Sequence, residues 1–365
     1  MRPSQTKTIA QSLRTRFNHH MSFTIRTLPA EHRFDVEPDE TILAAALRQG
    51  VGLPYGCRDG KCGSCAVHLL EGRVDYPSGR TDALEGQPED TCLTCQAVPA
   101  SDLIVRVREV PSVAHIEVRT LPCRVSRKER LNHDVMRLFL KLPENQRLQF
   151  LAGQYLDFIL RDGRRRAFSI ANAPHDDAEI ELHVRHVPGG EFTAYVFDSM
   201  PEKSILRIQG PLGTFVLRED SDRPIILMGG GTGFAPLKGM IEHAIHIGLD
   251  RPIELYWGVR AQRDLYLTDL PTAWARQLPS FRFVPVLSEP DPDWQGRTGF
   301  VHMAVLEDHP DPSGFDLYMS GPPVMVEAGR VAFEAAGLDR DRMFSDAFEY
   351  ATDTKAPKSK EGGAA

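Results

Sequence analysis

A chain of 365 residues is long enough for two or three domains, and 41% hydrophobic with 25% charged residues is the balance of an ordinary globular protein. A formal net charge of -7 argues against nucleic acid as the main partner, because binding phosphate needs a basic field. No apolar run is long enough to cross a bilayer, so a cytoplasmic protein without a membrane span is expected.

Residues 1–21 carry Arg2, Lys7, Arg14 and Arg16 and faintly resemble an organellar transit peptide, but a disordered extension is the expectation. Residues 22–112 have the pattern of a small mixed α/β domain. Strands around Phe23 and Ile25 and around Phe34 and Val36 precede a helix over 41–49, with Asp39 as its expected cap and Gly50 as its stop. Leu43, Ala46 and Leu47 give that helix one buried stripe, and a strand at 66–70 follows a cysteine-rich loop. Leu103, Val105 and Val107 alternate as a closing strand, after which Pro111 and Ser112 mark a linker.

Within that loop Cys57, Cys62 and Cys65 are spaced C-x-x-x-x-C-x-x-C, and Cys95 lies downstream, which is the spacing of plant-type 2Fe-2S ligands. A cluster of two irons needs four converging thiolates, which a wrapped loop and one distant cysteine can deliver. Gly56, Gly60 and Gly63 permit the wrapping. The rival reading pairs Cys62 and Cys65 with Cys92 and Cys95 as two knuckles of a zinc site. It leaves the Cys57 loop unexplained, and the gap between the pairs is longer than usual. Six cysteines in 365 residues are too few for a disulfide scaffold. A one-electron carrier is the expectation, with Cys92 and Cys123 outside the ligand set.

Residues 113–218 are mostly strand-like, at Val118 and Val125 and over 136–140, 155–160, 168–171 and 180–184, for which an antiparallel barrel is the natural closure. Arg166-Ala167-Phe168-Ser169 ends a run of three arginines, a pattern that alone describes a solvated face. His183 and Arg185 share one strand face, and Gly190-Glu-Phe-Thr193 opens a helix where phosphate oxygens could be held. His183 by itself reads as a hydrogen-bonded sheet residue.

Residues 219–353 alternate strand and helix, which argues a doubly wound parallel sheet. A strand at 225–228 runs through Gly229, Gly230, Gly231, Thr232 and Gly233 into a helix near Pro236, a turn that fits a dinucleotide diphosphate. Arg260 could meet a 2′-phosphate, yet Asp264 could pair with it or face a ribose, which favours NADH over NADPH. The Lys-, Gly- and Ala-rich tail at 354–365 is expected to be disordered.

In this order the three signatures resemble the ferredoxin-reductase-type flavoprotein reductases with an N-terminal plant-type ferredoxin domain. The resemblance covers nearly the whole chain. It implies a β-grasp ferredoxin domain holding the 2Fe-2S cluster on Cys57, Cys62, Cys65 and Cys95, an antiparallel β-barrel flavin domain, and a doubly wound α/β nicotinamide domain. It assigns Arg166 to the FAD diphosphate, with Ala167 in the same motif, Phe168 to packing on the flavin and Ser169 to its hydride-accepting nitrogen. Phe168 replaces the commoner tyrosine, which removes one hydrogen bond to the cofactor. Gly190 and Thr193 match the family's Gly-x-x-Ser/Thr, with His183 and Arg185 beside them. Gly230, Gly231, Thr232, Gly233 and Pro236 match its nicotinamide motif. Ser320, before Gly321 and Pro322, stands where the family has a cysteine close to the nicotinamide, so Ser169 and Ser320 are the implied catalytic pair. Phe344 or Phe348 is implied to cover the flavin ring, core packing being the alternative for either.

The implied reaction is hydride transfer from NADH to FAD, then single electrons to the cluster and on to a partner protein. Within the family the overall wording of the sequence is most similar to CDP-6-deoxy-hexulose dehydrase reductases, which implies a deoxysugar dehydrase as acceptor. An oxygenase component is the alternative acceptor, and an iron-sulfur redox sensor is the alternative from another functional class.

Overall fold

The structure is a computed structural model that describes residues 22–348; the extension expected at 1–21 and the tail expected at 354–365 lie outside the described residues. The first unit is built from β1 (Phe23–Leu28), β2 (Arg33–Val36), α1 (Ile42–Arg48), β3 (Ala66–Glu71), β4 (Val74–Asp75), β5 (Thr91–Leu93), β6 (Val98–Pro99) and β7 (Leu103–Arg106). Its main sheet runs β2-β1-β7-β3-β5, with β1 and β7 parallel and the other pairs antiparallel. Helix α1 covers the sheet with Ile42, Leu43, Ala45 and Ala46, and Val67, Leu103 and Val105 complete the core.

The cap of α1 is Thr41, whose hydroxyl accepts the Ala44 N–H at 3.3 Å, and not Asp39, which has a φ of 63°. The reason is tertiary. The Ile42 and Leu43 amides donate to Ala97 and Thr94, so the helix start is set by the chain around Cys95. The expected linker also carries structure, since α2 (Pro111–Ala114) is a single turn that packs Val110 and Val113 on Val216.

The second unit comprises β8 (Arg119–Arg130), β9 (Val135–Lys141), β10 (Tyr155–Ile159), β11 (Arg165–Ser169), β12 (Ile180–Arg185), α3 (Glu191–Ala194) and β13 (Ile205–Leu212). The strand order is β11-β10-β13-β8-β9-β12, all antiparallel, and an Ile170–Leu182 bridge joins the two edges. That bridge closes the barrel and leaves it no free edge there. Strand β11 begins at Arg165, three residues before the expected start at 168, because it pairs with β10 along its whole length.

The third unit is β14 (Ile225–Gly230), α4 (Phe234–His246), β15 (Ile253–Val259), α5 (Leu270–Ala275), β16 (Phe281–Leu287), β17 (Arg297–Thr298), α6 (Val301–Asp308), β18 (Asp316–Gly321), α7 (Pro323–Ala335) and β19 (Met343–Ala347). Its six strands are parallel in the order β17-β16-β15-β14-β18-β19. Alternate residues of β14 feed two cores, Ile225 and Leu227 on one face, Ile226 and Met228 on the other. The order reverses beside β14, so the ligand crevice lies beyond the carboxyl ends of β14 and β18.

Barrel and parallel sheet share apolar and ionic contacts. Val135, Ala152 and Phe215 join the core around Leu237 and Trp257. A buried charge network crosses the same seam. Lys238 Nζ on α4 donates to Glu181 Oε2 at 3.1 Å, to Glu242 at 2.9 Å and to the Ala171 carbonyl at 3.2 Å. Arg137 grips the same Glu181 with two N–H groups at 2.9 and 3.0 Å. Burial alone would raise the Glu181 pKa, but the hydrogen bonds from His183 and Arg137 and the Lys238 charge outweigh it and hold the group well below the usual carboxylate range. Among the described residues no helix is long and apolar enough to cross a membrane.

Candidate functional site

All three units contribute to one cavity of about 970 Å³. On its first wall stand Cys57 and Cys95. All six cysteines are free thiols. The expected ligands fall into two contacting pairs: Cys57 shares a hydrogen bond with Cys62, and Cys65 Sγ lies 3.2 Å from Cys95 Sγ. Gly60 and Gly63 adopt φ of 77° and 72°, and a Cβ at Gly60 would come within 2.3 Å of the Arg80 carbonyl, so the loop closes only with glycine there. Amides point at sulfur: Asp59 and Cys62 N–H approach Cys57 Sγ at 3.3 and 3.4 Å, Cys57 N–H approaches Cys62 Sγ at 3.3 Å, and Gln96 Nε2 approaches Cys95 Sγ at 3.7 Å.

The electrostatics of each pair are asymmetric. The Cys62 hydrogen bond, with the amide donors, overcomes burial and lowers the Cys57 thiol to about 5, and Cys65 does the same to Cys95 in direction. Cys62 and Cys65 are pushed up by the partner thiolate and by burial. Each pair gives up one proton readily and resists losing the second, so four thiolates require positive charge among them. Two pairs, each served by amide donors, fit a cluster of two irons. Cys92, needed by the zinc alternative, is fully buried on β5 opposite Val67, and burial raises its thiol to about 12; Cys123 is likewise buried, on β8.

The second wall is the β11 strand. Arg166, Ala167, Phe168 and Ser169 all line the cavity, and Phe168 is braced by Phe158 and Phe192 with centroids 5.7 Å away. Gly190 caps α3, and Thr193 in that turn accepts the Val187 N–H at 3.1 Å, which fixes the loop in front of Arg166. Ser169 Oγ donates to Asp346 Oδ2 at 3.0 Å. Burial lifts the Asp346 carboxyl to about 6; the Ser169 hydrogen bond opposes this and the Cys57 sulfur adds to it. Sequence reasoning missed Asp346: it lies in the C-terminal stretch between Phe344 and Phe348, where only the two aromatics were given a role.

His183 lines the cavity, and its two ring nitrogens are engaged by neighbouring side chains. Its Nε2 lies 2.8 Å from Glu181 and its Nδ1 3.1 Å from the Tyr266 hydroxyl. Glu181 only accepts, so Nε2 carries the proton and Nδ1 accepts from Tyr266. Burial lowers its pKa, so the ring is neutral and both nitrogens are committed. Arg185 is held by Asp134 at 2.8 Å and extends toward the glycine turn, where a Cβ on Gly231 would come within 3.4 Å of its Nη1.

The third wall is the Gly-rich turn. Gly230 and Thr232 line the cavity, and the Trp257 indole donates to the Gly231 carbonyl at 2.9 Å, holding the turn against Phe234. Gly233 serves packing: a Cβ there would lie 1.9 Å from the Ser320 carbonyl. Helix α4 starts at Phe234, two residues before the expected Pro236, which is buried in its first turn. Asp264 is likewise spent locally, accepting the Ala261 N–H at 2.9 Å and lying 3.5 Å from His133 of the barrel, whereas Arg260 is exposed at the end of β15. The Ser320 hydroxyl is fully buried without a partner, outside the cavity lining, while Gly321 packs on the Gly230 backbone and Pro322 reaches the cavity. The two candidate aromatics separate. Phe344 packs on Tyr318 at 4.8 Å and beneath Arg218, whereas Phe348 lines the cavity, its N–H bound to the Gly321 carbonyl at 2.9 Å.

Three family models match the chain in succession: a 2Fe-2S iron-sulfur cluster binding domain at residues 25–100, an oxidoreductase FAD-binding domain at 122–217 and an oxidoreductase NAD-binding domain at 227–330. The CDP-6-deoxy-L-threo-D-glycero-4-hexulose-3-dehydrase reductase of Yersinia pestis is 42% identical over 328 residues, 90% of this chain and 99% of that one. The reductase subunit of an aromatic O-demethylase from an Amycolatopsis species is 40% identical over 329 residues, 88% and 97% of the two chains. Among solved structures, the Amycolatopsis cytochrome P450 reductase GcoB superposes with a TM-score of 0.71 at 37% identity, over 89% of this chain and 98% of that one.

Proposed function

Because the chain belongs to the family of flavoprotein reductases that join 2Fe-2S, FAD-binding and NAD-binding domains in one polypeptide, we propose that it delivers electrons to a deoxysugar dehydrase. The chain is a nicotinamide-dependent oxidoreductase whose electrons run from NADH through FAD to the 2Fe-2S cluster. The matched stretches fall inside 22–112, 113–218 and 219–353, the limits we propose for the three domains. When bound, the flavin supplies the conversion of a hydride into single electrons, which a nicotinamide cannot make alone.

The residues fit the groups they would hold. Cys57, Cys62, Cys65 and Cys95 would hold the cluster in their two pairs. Arg166 and the turn from Gly190 to Thr193 would bind the FAD diphosphate, and the cavity-lining Phe168 and Phe348 would pack against its ring. The Gly230 to Gly233 turn would take the nicotinamide dinucleotide, with Pro322 on the same cavity wall, whereas the buried Ser320 hydroxyl stands behind that wall. Ser169 donates to Asp346 and is thereby oriented within the cavity.

That pair sets a pH dependence. Below about pH 6 Asp346 is protonated and Ser169 loses its charged acceptor, so hydride transfer should fall as pH drops through that value. The Asp346→Asn variant should be flat over the same range in stopped-flow flavin bleaching. Stability runs the other way. The folded chain binds this proton more tightly than the unfolded chain, so the carboxylate is destabilising above pH 6, and Asp346→Asn should raise the Tm at pH 8. A wild-type step unchanged in the variant would assign the titration elsewhere.

The acceptor reading is carried by the 42% identity to the Yersinia dehydrase reductase across 90% of this chain. Its test is reconstitution: NADH, the loaded protein and a CDP-6-deoxy-hexulose dehydrase should together turn over the sugar intermediate. Turnover with an aromatic O-demethylase or ring-hydroxylating oxygenase instead, and none with the dehydrase, would overturn it.

A further inference from the structure

Strand β10 contributes two side chains to the cavity lining for which the cofactor assignments above give no role. Tyr155 and Asp157 are two residues apart and therefore point to the same side of the strand. The Tyr155 hydroxyl donates to the Gly56 carbonyl at 2.9 Å. Asp157, 5% exposed, accepts from Arg58 Nη2 at 3.1 Å. Gly56 and Arg58 flank Cys57, so one barrel strand grips the cluster loop on both sides of its first ligand. Next to them Thr214 and Tyr55 share three hydrogen bonds, Tyr55 N–H to the Thr214 hydroxyl at 2.8 Å, and the Thr214 hydroxyl and N–H to the Tyr55 carbonyl at 2.9 and 3.1 Å.

The same strand is laddered to the flavin motif. Tyr155 pairs with Ser169 and Asp157 with Ala167. Asp157 also accepts from Arg165 at 3.3 Å, the residue before Arg166, and Arg165 is tied to Gln209 at 2.6 Å. One carboxylate thus connects the residue after Cys57 with the strand that carries Arg166 and Ser169. We propose that Tyr155 and Asp157 are positioning residues that fix the separation of cluster and flavin, and so set the rate of electron transfer between them. The proposal rests on the electron route given above. Electron transfer between fixed centres falls steeply with distance, and Cys57 is the ligand whose place this strand dictates. The clamp makes and breaks no bond.

The test uses the protein with its cofactors bound, mixed anaerobically with NADH in a stopped-flow spectrometer that resolves flavin bleaching from cluster bleaching. In Asp157→Asn and Tyr155→Phe, flavin bleaching and the KM for NADH should stay at the wild-type values while cluster bleaching slows by about tenfold or more. Asp157→Glu should recover most of the second rate. A second readout is independent of turnover: amide hydrogen exchange across residues 55–58 should accelerate in both slow variants. Should Asp157→Asn fail to retain its cofactors, Tyr155→Phe, which keeps the buried ring, decides alone. Cluster bleaching at the wild-type rate, or equal slowing of both phases, would overturn the clamp. Absence of cluster bleaching in the wild-type protein would instead overturn the electron route, so the two failures are distinguishable.

Discussion

Cys95→Ser will abolish NADH-driven reduction of the acceptor protein and leave NADH oxidation with an artificial dye near the wild-type rate. Cys95 closes the pair with Cys65 at 3.2 Å, and its removal leaves three thiols for two irons. Serine keeps the shape but presents an oxygen that holds its proton at neutral pH, so the second pair cannot give up its charge to metal. The flavin wall, built from β11, α3 and the glycine turn, lies outside the unit that carries Cys95, so flavin absorbance should be retained in the variant. Loss should affect the acceptor assay to background and the dye assay little. Acceptor reduction unchanged in the variant would mean that electrons leave without passing the cluster.

The second large effect is on stability. Glu181→Gln should cost about 2–3 kcal/mol, because Lys238 and Arg137 lose their shared counter-charge and keep only Glu242 and Glu129 as carboxylate partners. Denaturant unfolding of wild type and variant measures it. The sign with pH follows from the depressed Glu181 pKa: the stabilisation is complete above the ordinary glutamate value of 4.5 and is lost as pH falls through the lower folded value. The gap between wild type and variant should therefore be constant from pH 8 to pH 5 and shrink in stronger acid. A gap that shrinks between pH 8 and pH 6 would assign the effect to His183 instead. Because the network spans barrel and parallel sheet, the variant should also slow flavin bleaching by NADH.

What the chain discloses by reading alone follows how local each signal is. The ligand spacing of Cys57, Cys62 and Cys65 and the strand-to-helix run from Ile225 through Gly233 are written within a dozen residues each, and both appear where expected. Features assembled from distant segments left no such trace. Lys238 and Glu181 are 57 residues apart, and Ser169 and Asp346 are 177 apart. Nothing in the sequence around Asp157 announces that it will pair with Arg58, 99 residues earlier. The misplaced helix cap has the same origin, since Thr41 outranks Asp39 through contacts that Ile42 and Leu43 make with the chain near Cys95. His183 lines the cavity in its motif company, but the strand pattern did not disclose that Glu181 and Tyr266 hold its two nitrogens.

The central claim is that one chain carries hydride-accepting and one-electron centres in series. An anaerobic NADH titration followed by absorption spectroscopy tests it most directly. The expected result is a coloured protein whose flavin and iron-sulfur bands both bleach, with an end point at about one and a half equivalents of NADH per chain, two electrons for the flavin and one for the cluster. A colourless chain, or flavin bleaching with an end point at one equivalent and an unchanged cluster band, would contradict the series.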